Sequence, residues 1–270
     1  MDAHDYMTAE KLLLAEIERD PHSRHAAHLL AYVGSVYFAN QDYLNAAVAW
    51  KKSEAIAPLD AKLRFSLAMA YVRLARPDWA RTELESLAHE NGTDALYPYW
   101  LGRLDYDGHF YNSAIKDFQR AIELDPKFAR AYDNLGLCYY YQNQNNLAVA
   151  NFQKAIELDT GSAHPSPWPY LNLGITQQFM NRLPESEKSI REALRLDPGF
   201  TKAHFQLGTV LEDKGEPEAA LAELKEAARL DPAYPEPHMA MARIYHKIGQ
   251  EQAAKEEVKV YLRLHPHSTP

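Results

Sequence analysis

The sequence predicts an all-α protein built as a right-handed solenoid of stacked antiparallel helix hairpins, an α-α superhelix. Prolines that follow apolar helical stretches mark a repeat, because Pro58, Pro126, Pro198, Pro232 and Pro266 lie 68, 72, 34 and 34 residues apart. Small residues recur at two positions of this 34-residue period, and large apolar residues recur at two others. One hairpin cannot bury both of its faces, so units of this kind have to stack.

The prolines set the register of seven units. These span residues 27–60, 61–94, 95–128, 129–162, 167–200, 201–234 and 235–268, with a four-residue insertion at 163–166. Pro165, Pro167 and Pro169 make the insertion stiff and extended. It is either a tolerated surface loop or a point at which the array divides into two halves.

Four positions of the repeat, or columns, were not used to set the register, and they therefore provide a test of it. Position 8 is small in every unit: Gly34, Ala68, Gly102, Gly136, Gly174, Gly208 and Ala242. Position 20 is small as well: Ala46, Ala80, Ala114, Ala148, Ser186, Ala220 and Ala254. Position 7 is large and apolar: Val33, Leu67, Leu101, Leu135, Leu173, Leu207 and Met241. Position 24 is also large and apolar: Trp50, Leu84, Phe118, Phe152, Ile190, Leu224 and Val258.

The columns define two helices in each unit. Positions 4, 7, 8 and 11 share one face of a first helix, A, and positions 20, 24 and 27 share one face of a second helix, B. Small residues at positions 8 and 20 let the two helices approach, and large residues fill the space around the contact. Proline at position 32 ends helix B, because it cannot continue the hydrogen-bond ladder.

This pattern resembles the tetratricopeptide repeat family over residues 27–268. The departures are local: position 32 is Gly92 and Thr160 in two units, and position 11, usually aromatic, is Asp105 and Gln177 in two units. The resemblance implies a superhelix whose concave inner surface, lined by helices A, takes an extended or helical peptide.

The two ends of the array are incomplete. Residues 1–26 are expected to hold a partial repeat or capping helix, since residues 9–20 carry the pattern of a helix B. At the other end no polar capping helix follows the seventh unit, so Val258, Val260, Tyr261 and Leu264 are expected to stay partly uncovered. Either the chain is a piece of a longer protein, or its ends are poorly ordered, or it associates weakly with itself.

Composition narrows the class of protein. Of the 270 residues, 46% are hydrophobic and 24% are charged, which is typical of an ordered globular chain. A net charge of -8 argues against a partner that is a nucleic-acid duplex. We find no apolar run long enough to span a membrane and no secretory signal, so the default compartment is the cytoplasm.

Patterns typical of catalytic and metal sites are missing from the sequence. It has no HExxH, GxSxG, GxGxxG or Walker-type motif. His22, His25 and His28 could align on a helix as metal ligands, but no carboxylate or cysteine completes the set. Cys138, the single cysteine, is predicted to be a buried core thiol. We therefore expect no enzyme, no cofactor and no bound metal.

The inner face of the helices A is the candidate binding site. It holds positions 2, 5, 6, 9, 12 and 13, where aromatic residues and arginines accumulate, and these residue types are enriched at binding hot spots. Alternatively, single rings of this face pack against the next repeat. The candidate peptide-binding residues are Tyr99, Arg103, Tyr106, Asn134, Tyr140, Tyr141, Leu171, Asn172, Ile175, Phe179, Phe205, Gln206 and Arg243.

Two subtypes of the family differ at specific positions. Chaperone-binding members use Lys at position 5 with Asn at position 9, and no unit here has that pair. Asn134, Asn172 and Gln206 at position 6 are similar to part of the amide ladder in O-linked N-acetylglucosamine transferases, which hydrogen-bonds an extended peptide. An amide side chain suits that role because it offers a donor and an acceptor.

The sequence thus predicts a non-catalytic scaffold that holds a peptide or disordered segment of a partner protein in a concave groove. Two alternatives stay open. One is the substrate-selecting region of a larger enzyme such as a glycosyltransferase, and the other is a self-assembling structural module.

Overall fold

A computed structural model describes Leu13 and residues 15–265, and these residues form helices and connecting turns with no strand among them. The all-α prediction is confirmed. Residues 9–12 and 14 of the predicted N-terminal helix, and residues 266–268 of the seventh unit, lie outside the described residues. A helical segment at 15–19 precedes the helices α1 (Arg24–Ala39), α2 (Tyr43–Glu54), α3 (Ala61–Arg73), α4 (Pro77–Glu90), α5 (Leu96–Asp107), α6 (Tyr111–Leu124), α7 (Ala129–Tyr141), α8 (Asn145–Asp159), α9 (Trp168–Phe179), α10 (Leu183–Leu196), α11 (Thr201–Asp213), α12 (Pro217–Leu230), α13 (Glu236–Lys247) and α14 (Glu251–Leu264).

The chain forms two compact units, divided between Asp125 and Pro126. The first contains α1–α6 and the second contains α7–α14; within each, a helix A packs on its helix B, and that helix B packs on the next helix A. The insertion at 163–166 lies inside the second unit, between the contacting helices α8 and α9. The backbone N–H of Ser166 donates to the Asp159 carboxylate at 2.6 Å, which ties the insertion to the end of α8.

The helix contacts follow the predicted columns. Positions 7, 8 and 20 are buried in all seven hairpins, and position 24 is buried in six, with Val258 half-buried. The close approach is visible at Gly208, where an added Cβ would stand 2.6 Å from Cγ of Leu224. Val260, Tyr261 and Leu264 are also half-buried, as the sequence predicts for the last hairpin.

The turn from helix A to helix B has a feature that the sequence analysis did not predict. Position 15 has a positive φ, between 53° and 77°, in all seven hairpins. This conformation suits glycine and asparagine and strains other residue types. The seven residues are Gln41, Ala75, His109, Asn143, Asn181, Gly215 and Gly249.

The turn from helix B to the next helix A follows the Asp-Pro pairs. Helix α10 ends at Leu196 and α12 ends at Leu230, in each case two residues before the proline. The aspartate carboxylates of Asp197 and Asp231 each accept a hydrogen bond at 3.0 Å from a backbone N–H two residues later. Proline therefore stops the helix, and aspartate holds the turn that follows.

Candidate functional site

The candidate site lies on the face of α7, α9, α11 and α13 opposite the core, which we call the inner face. Each of these helices A contacts the next one along the second unit. Three of the predicted residues, Tyr99, Arg103 and Tyr106, belong to the first unit, and the rest belong to the second. The structure therefore divides the predicted residues between two separate sets.

The set in the first unit is packed or paired within its own hairpin. Tyr99 is only 6% exposed, and its ring lies 5.9 Å from that of Phe118 on α6. The guanidinium of Arg103 lies 5.4 Å from the Tyr106 ring and 3.3 Å from a carboxylate oxygen of Asp107. Tyr99 acts as a core residue here, and little of its ring is open to a partner.

Three aromatic side chains meet at one corner of the inner face, and we call Tyr140, Tyr141 and Phe179 the aromatic corner. The Tyr140 ring contacts Phe179 edge-on at 6.1 Å and Tyr141 at 5.5 Å between centroids. Phe179 is 61% exposed and Tyr141 is 53% exposed. Tyr140 is half-buried, which raises the pKa of its hydroxyl, while the outer two rings face solvent.

The apolar residues deeper in the inner face belong to the core. Leu171 is 2% exposed and packs in the cluster that includes Ala203 and Leu207 of the next helix A. Ile175 and Phe205 are partly buried against the same cluster. Phe205 also contacts the Tyr234 ring at 5.4 Å, and burial raises the pKa of Tyr234 to about 12. These residues pack beneath the exposed side chains of the inner face, so each leaves at most part of its own surface for a partner.

The amides of Asn134 and Asn172 are buried and already bonded. Asn134 donates from Nδ2 to the carbonyl of Arg130 at 2.7 Å, one turn earlier on α7. Asn172 donates from Nδ2 to a carboxylate oxygen of Asp133 at 2.9 Å, which links α9 to α7. The Asn134 bond lies within α7 and the Asn172 bond links α9 to α7; both side chains are largely buried, so little of either amide is open to a ligand.

Gln206 joins a network that the sequence analysis missed. Its Nε2 donates to Oε1 of Gln178, and Nε2 of Gln178 donates to Asp213 at 2.6 Å. Gln178 stands at position 12, beside the aromatic corner residue Phe179. Position 12 belongs to the inner face, so the sequence pattern could have indicated Gln178 as a candidate. The residue type alone does not indicate which side chains it bonds to.

The far end of the inner face carries a compact ion pair. Arg243 donates three hydrogen bonds to Glu212, from Nε at 2.9 Å and 3.1 Å and from Nη2 at 2.6 Å, and Lys247 adds a fourth at 2.6 Å. Burial opposes the ionisation of Glu212, but the hydrogen bonds outweigh it and lower the pKa of the carboxyl. Arg243 is thus a structural link between α13 and α11 as well as an exposed cation.

Other chemistry has little support among the described residues. Cys138 is completely buried, as predicted. His22, His25 and His28 are exposed, and the structure groups no three histidines, cysteines or carboxylates for a metal within residues 15–265. Across that same range, we find no helix with the length and apolar character needed to cross a membrane.

Sequence comparison identifies the repeats independently. Profiles described as TPR repeat and tetratricopeptide repeat match residues 102–140 and residues 129–162, 171–235 and 211–270. They cover hairpins of both units. No curated protein sequence matches the chain significantly.

Solved structures share the fold at low sequence identity. PilW, a widely conserved type IV pilus biogenesis factor, aligns with a TM-score of 0.71 and 20% identity over 77% of this chain and 94% of its own. PilF of Pseudomonas aeruginosa has a TM-score of 0.68 and 17% identity over 77% of this chain and 93% of its own. YrrB, described as a TPR protein with an unusual peptide-binding site, has a TM-score of 0.53 and 20% identity over 68% of this chain and 93% of its own. At these identities the likeness establishes the fold alone.

Proposed function

Because the chain is a tetratricopeptide repeat protein, we propose that it is a non-catalytic scaffold whose second unit binds a peptide or disordered segment of a partner protein on its inner face. The family and the fold support a protein-interaction role in general. The exposed aromatic corner is the observation that supports this particular site.

The corner has the properties of an anchor site. Two rings stand more than half exposed, yet the third, Tyr140, holds both in edge-on contact. Rings held in this way lose little conformational freedom when a ligand arrives, and burying one is worth about 1.5–3 kcal/mol. An apolar side chain of the partner, placed between Tyr141 and Phe179, would gain that contribution.

The polar part of the inner face restricts how the partner binds. Asn134 and Asn172 are largely buried, and each donates a hydrogen bond within the protein. The buried carboxylate of Glu212 accepts from Arg243 and Lys247. A partner that depends on bonds to these groups has to reach buried atoms, which offsets much of the gain. We therefore place the main anchor at the aromatic corner, with the amide column and Arg243 as secondary contacts.

Selection from a phage-displayed library of random 12-residue peptides tests the proposal. The full chain is the bait, and a variant with Tyr141→Ser and Phe179→Ser is the counter-selection bait. A Leu147→Ser variant is the matched control, because Leu147 is 47% exposed on helix B of the same hairpin as Tyr141.

We expect enriched peptides to carry an apolar or aromatic residue, to bind the wild type and Leu147→Ser alike, and to lose at least about tenfold in affinity for the double variant. Peptides that bind the double variant as tightly as the wild type would contradict the proposal. So would a selection that enriches no peptide.

A further inference from the structure

A second surface, on the first unit, has the form of a docking groove. It lies between α2 and α4, the helices B of the first two hairpins, and it has a volume of about 680 Å³. Its walls include Leu44, Val48 and Trp79, which are 61%, 43% and 56% exposed. Apolar side chains grouped in this way on a folded surface are typical of an interaction site.

The groove is preformed rather than loose. The Trp79 ring contacts Tyr71 edge-on at 5.4 Å, and Tyr71 is 7% exposed. Burial raises the pKa of the Tyr71 hydroxyl, as expected for a ring that forms the floor. Leu44 and Val48 lie one helical turn apart on α2, so they present one continuous apolar wall opposite Trp79.

The rim of the groove carries uncompensated positive charge. Among the described residues, neither Lys52, which lines the groove, nor Arg76 forms an ion pair, and the Arg76 guanidinium lies 5.5 Å from the centre of the Trp79 ring. The carboxylate that lines the groove, Glu83, already has Arg64 at 3.5 Å and Lys51 at 3.8 Å. A chain of net charge -8 therefore has a locally cationic rim around an apolar floor.

We propose that this groove binds an amphipathic α-helix of a partner protein, with apolar side chains against Leu44, Val48 and Trp79 and acidic side chains beside Lys52 and Arg76. A helix is favoured over an extended segment because the walls of this groove are formed by the apolar side chains of Leu44, Val48 and Trp79, which offer few hydrogen-bond partners. An extended peptide would bury its own N–H and C=O groups without partners there, whereas a helix satisfies them. This surface belongs to a different unit from the aromatic corner and does not depend on it.

A synthetic probe tests the proposal directly. The probe is a fluorescein-labelled, end-capped 18-residue peptide with Leu at i, i+4 and i+7, Glu beside the apolar stripe and Ala elsewhere. A second peptide has Lys in place of every Glu. Fluorescence anisotropy measures the Kd of both peptides for the full chain, and circular dichroism checks that each variant is folded.

We expect the acidic peptide to bind in the micromolar range, and Leu44→Glu to weaken it at least about tenfold. A Leu147→Glu control, on the helix B of a hairpin in the second unit, should leave the Kd unchanged. The variant with Lys52→Glu and Arg76→Glu should reverse the preference, so that it binds the Lys peptide more tightly than the Glu peptide.

Three results of the binding experiments would overturn the proposal. They are no binding of the acidic peptide at millimolar concentration, equal affinity of the wild type for both peptides, and equal weakening by Leu147→Glu. Sedimentation that shows a dimer abolished by Leu44→Glu would instead assign the groove to a second copy of the chain, and it would also reject the helical partner.

Discussion

Gly136 of α7 lies directly against the ring of Phe152 on α8, so close that a Cβ added to Gly136 would stand 2.6 Å from Cε1 of Phe152. Phe152 is fully buried. The small residue at position 8 and the large one at position 24 therefore fit each other as a pair. In the second hairpin the same two positions hold Ala68 and Leu84. The residue at position 8 is larger there by a methyl group, and the residue at position 24 is smaller because leucine has no ring.

Overpacking this contact should destabilise the protein. We expect Gly136→Leu to lower the free energy of unfolding by about 1–3 kcal/mol, because the new side chain has to displace the Phe152 ring. Chemical denaturation followed by circular dichroism measures it. Gly161→Ala is the control, since a Cβ there meets nothing within 4 Å, and it should change stability little.

The pairing also predicts a rescue. The double variant Gly136→Ala with Phe152→Leu reproduces the Ala68–Leu84 combination, so it should be more stable than the sum of the single variants predicts. We expect a favourable coupling of about 0.5–3 kcal/mol in the double-mutant cycle. Additive effects of the two substitutions would mean that the residues are not in the contact described.

The sequence predicted the hairpins well because their packing depends on side-chain size at fixed spacing. Gly136 and Phe152 could be paired from the period alone. The positive φ at position 15 was not predicted, although the column carries a partial signal: the asparagines and glycines at four of its seven places favour this conformation, whereas Gln41, Ala75 and His109 give no indication of it. The 34-residue period reflects the sizes of the side chains that pack between helices. The turn conformation is instead set by the two flanking helices, whatever residue stands at position 15.

The candidate site was predicted less well than the fold. The sequence shows which positions of the inner face are aromatic and which are amides. It does not show which of the aromatic rings are buried by the next helix. Leu171 and Phe179 both lie on α9, and one is 2% exposed while the other is 61% exposed. Bonds across helices, such as Asn172 to Asp133, depend on the distance between neighbouring repeats, which a single repeat does not encode.

The turn conformation leads to a paired stability prediction. Ala75 has φ 53° and Gly215 has φ 77° at equivalent positions of two hairpins. A left-handed conformation costs an alanine about 1 kcal/mol more than a glycine. Ala75→Gly should therefore stabilise the chain by up to about 1 kcal/mol, and Gly215→Ala should destabilise it by about 1 kcal/mol, in denaturant titrations. A destabilising Ala75→Gly together with a stabilising Gly215→Ala would contradict the assigned turn.

A pair of carboxyl groups in the first unit should make stability depend on pH. Burial and the nearby Asp105 carboxylate raise the pKa of Asp117 from 3.8 to about 6, while Arg81, paired with Asp105, opposes the shift. The folded state thus keeps a proton on Asp117 between pH 4 and 6 that the unfolded chain releases. As pH rises through this window, the folded state loses stability.

The substitution Asp117→Asn removes that titration and keeps the shape of the side chain. We expect it to stabilise the protein by about 1–2 kcal/mol at pH 7.5, with allowance for the partial exposure of the carboxyl. The gain should shrink toward zero near pH 4. Thermal unfolding across pH 4–8 measures this, and a gain that is the same at every pH would show that the proton on Asp117 is not its cause.

Weak self-association through α14 stays a prediction. Val258 and Tyr261 are half-buried, whereas the residues at the same positions of the other six hairpins are buried. Sedimentation velocity over a range of concentrations should show a growing dimer fraction, and Val258→Lys with Tyr261→Lys should remove it. A wild-type chain that stays monomeric throughout that range would refute the idea.

Cross-linking of a selected peptide tests the proposed binding face most directly. A peptide enriched on the wild-type chain, with photo-leucine in place of its apolar anchor, is irradiated in the complex, and the attachment sites are mapped by mass spectrometry. Binding at the aromatic corner predicts attachment to α7 and α9 around Tyr140, Tyr141 and Phe179, lost in Phe179→Ala and kept in Leu147→Ala. Attachment concentrated on the helices B α8, α10 and α12, unaffected by Phe179→Ala, would contradict it.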